Sequence, residues 1–489
     1  MRKLLLPLFA LTLIAGSAFA GNGKVIIQNA DAAGTGFNDP TPATPVGGNP
    51  GTTLGEQRLN VFKMAAQQWS NTIDTNVDVI VSATFAPIIR ESDPCTADAA
   101  ILGAAGPVRN LANFTNSPKQ NVLYPVALAN KFANTDLRPG EPDISAIFNA
   151  EVDTAACLGA SNWYYGYDGK HGSDIDLYVV VLHELAHGLG FTGGANLRTG
   201  SLESNLPNIF ELHTFDTQTG QCWDQMSASQ RRDSALNTGR VVWDGPATKA
   251  AAASRLGSIV TLTVTAPSAV AGNYEIGSAT FGADSNTTAV SGRLVVAKDA
   301  KNTDGPTDTD GCSAFANASD ISGNIAVVDR GSCFFVNKAR NAQAAGASAL
   351  IIVDNKKKGD ADATCDPPGM GPGDDDASDI HIPVISLRLT DGEAIKAQAA
   401  NGVNAMLRID PSQKAGASQE GYPRLYAPCT IDSGSSIHHF DVSASPNLLM
   451  EPYTSSDLTH GVDLTVYQLI DIGWTQPVRT GRTILRRGK

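Results

Sequence analysis

The chain has 489 residues, with 42% hydrophobic and 17% charged side chains and a formal charge of −13. Its length and apolar content suit two or three domains with ample core. The acidic balance argues against nucleic acid and anionic membrane as partners.

Met1-Arg2-Lys3, a mostly apolar run from Leu4 to Ala15 and then Ala18-Phe19-Ala20 read as a secretory signal peptide over residues 1–20. Its removal leaves 34 basic against 49 acidic residues, or −15. No later stretch reaches the ~18 consecutive apolar residues of a membrane span. The mature protein is therefore expected to be secreted, extracellular or periplasmic, off the membrane and monomeric. Seven cysteines, all beyond the signal, fit an oxidising compartment. Cys312 with Cys333, Cys95 with Cys157 and Cys222 with Cys429 are the expected pairs, leaving Cys365 free.

Lys24 to Gln28 reads as a short strand and 31–53 as a glycine- and proline-rich loop. Leu54 to Ile73 is an amphipathic helix with Leu59, Phe62, Ala66, Trp69 and Ile73 on one face. Strands are expected over 77–85 and 143–149. Ser173 is placed as the N-cap of a further helix running to Leu189, because an acid, Asp176, stands three residues on. That helix is apolar almost all round from Leu177 to Leu182, the pattern of a core helix.

It ends in His183-Glu184-Leu185-Ala186-His187-Gly188-Leu189-Gly190. Four residues at 3.6 per turn return to nearly the same face, so both imidazoles can bind one zinc ion, with Glu184 in reach of a water there. Desolvated imidazoles at the end of a core helix also favour a metal over an unpaired buried charge. The bland alternative is a hydrogen-bonded core histidine pair.

The His-Glu-x-x-His-x-x-Gly run resembles the metzincin zinc peptidases. Most of these place a third histidine three residues after the glycine, where this chain has Gly193. Leishmanolysin-like members place it after a long insertion instead. The segment Ser435-Ser436-Ile437-His438-His439-Phe440-Asp441, followed by Leu448-Leu449-Met450-Glu451-Pro452-Tyr453, resembles their ligand segment and methionine turn. That likeness implies His439 as third ligand, with His438 as the alternative, Met450 beneath the zinc and Tyr453 as support for an oxyanion. It also implies a bilobed α+β catalytic domain. The rival arrangement is gluzincin-like, with Glu203 or Glu211 as ligand.

Residues 200–256 are expected to form a mixed helical segment, and 257–410 an insertion. Within the insertion, strands at 323–331, 348–354, 382–387 and 405–409 alternate with helices at 333–347 and 391–400. Its VDRG turn, KARNAQAAGA helix and IPVISL strand, in that order, closely resemble a protease-associated (PA) domain. This likeness implies an α/β lid or interaction module, not a catalytic one. Chain splicing of this kind would part the catalytic domain into 21–256 and 411–475, closed by a helix over 463–474. Residues 476–489 form a basic tail. The acidic runs Asp304 to Asp310 and Asp374-Asp375-Asp376 are the places where Ca2+ could bind, but neither has calcium-loop spacing.

Together these features predict a zinc-dependent endopeptidase acting on protein or peptide substrate, with Glu184 as general base. A secreted, non-catalytic binding protein that uses the inserted domain is the reading from another class.

Overall fold

The computed structural model describes residues 23–476 apart from 89–94, 98, 155, 286–287, 304, 332, 358–364, 374 and 456. The signal peptide and most of the basic tail thus lie outside the described residues, as do Asp304 and Asp374. No helix among the described residues is long and apolar enough to cross a membrane.

The first half is built on a four-stranded sheet. Strand β1 (Val25–Asn29) pairs in parallel with β2 (Val79–Ala86). Beyond β2 lie β4 (Ile144–Asn149), also parallel, and then β3 (Gly103–Pro107), antiparallel and at the edge. Residues of β2 alternate, with Val79, Val81, Ala83 and Phe85 buried, as the two-residue repeat of a pleated strand requires.

Helix α1 (Leu54–Thr72) starts where the Thr53 side chain accepts from the Glu56 amide. It buries Phe62, Ala66 and Trp69, with Ile73 just past its end, while Leu59 is only partly covered. A short helix, α2 (Val126–Ala133), follows β3. Helix α3 (Leu177–Leu189) carries the histidine motif and is buried along all but one of its residues. Its N-cap is Asp176, whose side chain accepts from the Tyr178 amide, so the helix begins three residues after the Ser173 start expected from sequence. The Trp69 indole donates to the Leu182 carbonyl at 3.1 Å, tying α1 to α3. Truncating so large a core side chain typically costs about 3–5 kcal/mol.

Residues 200–256 mix strands with helices, one of them at Ala228–Ser234. Thr214–Asp216, Gln221–Cys222 and Val241–Trp243 form a small antiparallel sheet, followed by helix α4 (Pro246–Arg255).

An eight-stranded sheet follows. Its strands are β5 (Ser258–Ala266), β6 (Gly272–Tyr274), β7 (Gly277–Ser278), β8 (Val290–Val296), β9 (Ile325–Asp329), β10 (Ala349–Val353), β11 (Val384–Leu387) and β12 (Asn404–Lys414). Across the sheet they run β6-β5-β12-β8-β9-β10-β11-β7, with β8 to β11 parallel. Of these, β9, β10 and β11 are buried on both faces. Ile325 and Val327 share one core with Ile395 of α6 (Leu389–Ala397). Ala326 and Val328 face the other core, with Val336, Ala339 and Ala342 of α5 (Phe335–Ala344). The strands and helices expected from the PA resemblance are here, but β5 to β8 join the same sheet from residues 258–296, where no strand was expected.

From 415 to 464 the described chain has isolated bridges and turns only. It closes in α7 (Thr465–Ile472), whose Asp471 carboxylate accepts the Ala247 and Thr248 amides at the start of α4. The Trp474 indole donates to the Leu189 carbonyl at 2.9 Å, packing the end of the described chain beneath the motif helix.

Disulfides join Cys95 to Cys157 and Cys312 to Cys333, as expected. The third corrects the sequence reading: Cys365 pairs with Cys429, and Cys222 is free. Cys222 lies in the small sheet with its thiol on the Asp244 carboxylate at 3.4 Å, and burial pushes that thiol up to about 12.

Candidate metal centre

One turn of α3 separates His183 from His187, and the loop at 435–441 brings His439 to them. The three Nε2 atoms lie 3.1, 3.2 and 3.3 Å apart. Each Nδ1 faces a backbone carbonyl: Leu449 for His183 at 2.6 Å, Phe191 for His187 at 2.7 Å and Ser435 for His439 at 2.7 Å. A carbonyl can only accept, so each Nδ1 must carry the hydrogen. Burial holds all three rings neutral: His183 falls to about 4, and His187 and His439 lie well below the usual histidine range. Three lone pairs therefore converge with no hydrogen between them.

That arrangement fits a cation and little else. Tetrahedral zinc with Zn–N of about 2.0–2.1 Å requires N···N separations of roughly 3.3–3.4 Å. The donors are neutral, oriented by partners on their far nitrogens, and grouped without any other metal-ligating cluster of this size among the described residues.

The supports explain the local sequence. Leu449 holds His183 by its carbonyl, while its own amide donates to Asp463 Oδ2 at 2.5 Å. Met450 is fully buried, and its carbonyl accepts from the Phe440 amide at 2.7 Å, next to His439. Gly190 ends α3 at φ 126°, which lets the chain swing so that the Phe191 carbonyl meets His187.

Glu184 is buried on the same cleft, of about 1000 Å3, as the histidines. Burial pushes its carboxyl up to about 8, against a hydrogen bond from the Ala105 amide. Residues Leu102 to Ala105, leading into and along β3, form the facing wall. Tyr453 also lines the cleft, 57% exposed, with its hydroxyl 3.2 Å from that of Tyr426 and 3.3 Å from Asp432 Oδ2.

Other expected candidates lie elsewhere. His438 borders the cleft, but its ring packs edge-on to Phe210 and its Nε2 lies near Gly193, away from the three nitrogens. Glu211 is fully committed: its oxygens accept the Gly194, Ala195 and Asn208 amides at 2.7, 2.9 and 2.5 Å. Glu203 is exposed and accepts from Asn110. Neither glutamate joins the histidines, which removes the gluzincin-like arrangement. Gly193 shows why no third histidine stands there, since a Cβ would meet Glu211 Oε1 at 2.6 Å. His213 pairs with Asp244 and His460 with Asp176, both away from the cluster. Asp375 and Asp376 are engaged with Arg340 and Ser378, and no calcium cluster forms among the described residues.

Sequence reasoning passed over the edge strand β3 and the carbonyls of Phe191, Ser435 and Leu449. Two of these carbonyls had a faint signal: Phe191 and Ser435 each lie four residues from the histidine they hold.

Two family models match this chain. Residues 290–395 match the PA domain and residues 49–212 match the family described as SPBPB7E8-like. This chain contains a PA domain. The second match spans α1 through the motif helix. Among curated relatives, Signal peptide peptidase-like 2 of Arabidopsis thaliana is 38% identical over 92 residues, which is 19% of this chain and 15% of that protein. Uncharacterized protein PB7E8.01 of Schizosaccharomyces pombe is 24% identical over 174 residues, 33% of this chain and 29% of that protein. Less than a third of either relative is spanned, so the likeness is one of parts. Of solved structures, BSAP, a zinc aminopeptidase from Bacillus subtilis, aligns at 18% identity over 41% of this chain and 42% of its own, with a TM-score of 0.22, too low to bear on the fold.

Proposed function

We propose that this protein is a secreted zinc-dependent endopeptidase, with a bilobed metzincin-like catalytic domain split by its PA-domain insertion. The observation that carries the reading is the convergence of three neutral imidazoles, each with Nδ1 on a carbonyl, beside a buried glutamate in an open cleft.

His183, His187 and His439 would hold the ion. Zinc bound there supplies Lewis acidity, acidifying water toward a pKa of about 7 and polarising a substrate carbonyl. Glu184 is the one carboxylate on the motif helix facing that point, and its role is to take a proton at its carboxylate and return it to the leaving amine. Burial favours the protonated carboxyl, while a cation next to it would favour the carboxylate, so the group is poised to move a proton in either direction. Tyr453, anchored by Tyr426 and Asp432 at the cleft, is the candidate for steadying negative charge on the carbonyl oxygen.

Strand β3 supports peptide as the substrate class. It closes the sheet on one side, and its outer edge borders the cleft, where an extended chain can add as another strand. Main-chain pairing of this kind suits internal segments of a polypeptide, which favours an endopeptidase.

The test combines elemental analysis of the purified protein with casein hydrolysis before and after a chelator. One zinc per chain and activity lost to the chelator and restored by zinc are expected. A full zinc complement with no hydrolysis by mature protein would instead favour a binding protein with a structural ion.

A further inference from the structure

His439 lies in the least regular part of the described chain, between β12 and α7, yet its nitrogen must be fixed to a few tenths of an ångström. Its order has to be imposed from outside. Part comes from the segment at 423–426. Leu425 bridges Phe440, the Tyr426 amide donates to the His439 carbonyl at 2.9 Å, and the Asp441 amide donates to the Arg424 carbonyl at 3.0 Å. This short ladder makes Arg424 and its neighbours the backbone partner of the third histidine.

The Arg424 side chain leads away from the cleft into the insertion. It forms an ion pair with Glu275, from the link between β6 and β7, and the same glutamate pairs with Arg388 at 2.5 Å, beside α6. Asp441, two residues from His439, and Asp366, from the PA domain, complete the cluster. Burial alone would raise the Glu275 carboxyl, but Arg424 and Arg388 hold it below its ordinary value, so it stays charged. One residue from Asp366, Cys365 is joined by disulfide to Cys429, three residues past Tyr426. Ionic cluster and disulfide thus clasp both sides of the 424–429 stretch from the insertion.

We propose that the insertion braces the third ligand: Glu275, through Arg424, and the Cys365–Cys429 bridge are positioning elements that hold 424–441 so that His439 meets His183 and His187. This rests on the reading of those histidines as metal ligands. The PA domain is then part of the catalytic apparatus at one remove, and docking of the insertion and occupancy of the metal site are linked reciprocally.

The test compares Glu275→Gln and the double variant Cys365→Ser/Cys429→Ser with the wild type. Asp354→Asn serves as control, since it removes an ion pair with Arg330 inside the insertion, at 2.9 Å, that shares no residue with the Glu275 cluster. Zinc dissociation constants are read by chelator competition, the visible spectrum of the cobalt-loaded protein reports ligand geometry, and circular dichroism reports folding. Both test variants should weaken zinc binding by about 10- to 100-fold and alter the cobalt spectrum, while Asp354→Asn matches wild type. The disulfide variant leaves all the charges in place and decides the matter should Glu275→Gln not fold. Wild-type zinc affinity and an unchanged cobalt spectrum in the folded disulfide variant, or equal weakening by Asp354→Asn, overturn the brace. His439→Ala separates the two claims. If it binds zinc as tightly as wild type, the ligand reading itself fails and the brace falls with it.

Discussion

Glu184 and Asp143 are both buried acids with raised carboxyl pKa values, yet their surroundings give them different work. Glu184 lines the same cleft as the three imidazoles, so replacing it by glutamine keeps shape but removes the proton acceptor. Glu184→Gln should retain full zinc by elemental analysis and lower peptide hydrolysis by about 10²- to 10⁴-fold. An unaffected rate would assign the base elsewhere. Asp143 lies outside that cleft: its oxygens accept from the Ile80 amide and the Asn130 side chain, both at 2.8 Å. Burial raises it to about 6, Asp136 adds to this and the Ile80 amide opposes it. The folded value exceeds the unfolded one, so its contribution to stability is complete below about pH 4 and is lost as pH rises through 6. Asp143→Asn removes that titration. The melting temperature of wild type minus variant should therefore fall between pH 4 and pH 6.5, by the equivalent of at most about 3 kcal/mol. A difference that rises over this range would reverse the sign of the shift.

Strand β3 is where local sequence said least and the site depends on it most. Gly103-Ala104-Ala105-Gly106-Pro107 has no alternation and poor strand propensity, because its place comes from pairing with β4 and from α3 beneath it. A Cβ on Gly103 would stand 3.1 Å from Glu184 Cγ and 3.1 Å from the Phe148 ring. Gly103→Ala should displace Glu184 without touching a ligand, lowering kcat by about tenfold or more while zinc content is unchanged. Equal kcat in variant and wild type would show that the carboxylate has room to spare. The contrast with α3 is instructive. Its apolar run, histidine spacing and terminal glycine all act within a few turns, so the helix and two candidate ligands were legible. Strands β9 to β11 of the PA domain were legible for the same reason, as continuous apolar runs set between helices, but β8, with its Ser-Gly-Arg interruption, was not. The β5–β12 pairing and the Cys365–Cys429 bridge depend on partners far along the chain, which a local pattern cannot name. Residue 193 belongs to this second group: only the buried Glu211 beside it explains why a glycine stands where a third histidine was looked for.

At the scale of the molecule, the candidate metal centre is a cross-link. His187 and His439 are 252 positions apart, with the whole eight-stranded sheet between them. An unfolded chain cannot hold three such nitrogens together, so an ion binding the fold but not the coil stabilises by RT ln(1 + [L]/Kd), about 4 kcal/mol at a thousandfold excess over Kd. For a domain of this size, that corresponds to a melting shift on the order of 10 °C. Stripping the protein with chelator should lower its melting temperature by that order, and added zinc should restore it. His439→Ala should abolish the zinc-dependent shift, because the remaining pair on α3 is a local site that joins no distant segments. His438→Ala should keep it, since that ring packs on Phe210 and takes no part in the cluster. Loss of the shift in His438→Ala, with its retention in His439→Ala, would exchange the roles of these neighbours. No shift in the wild type would mean that the three nitrogens hold no ion that matters to the fold.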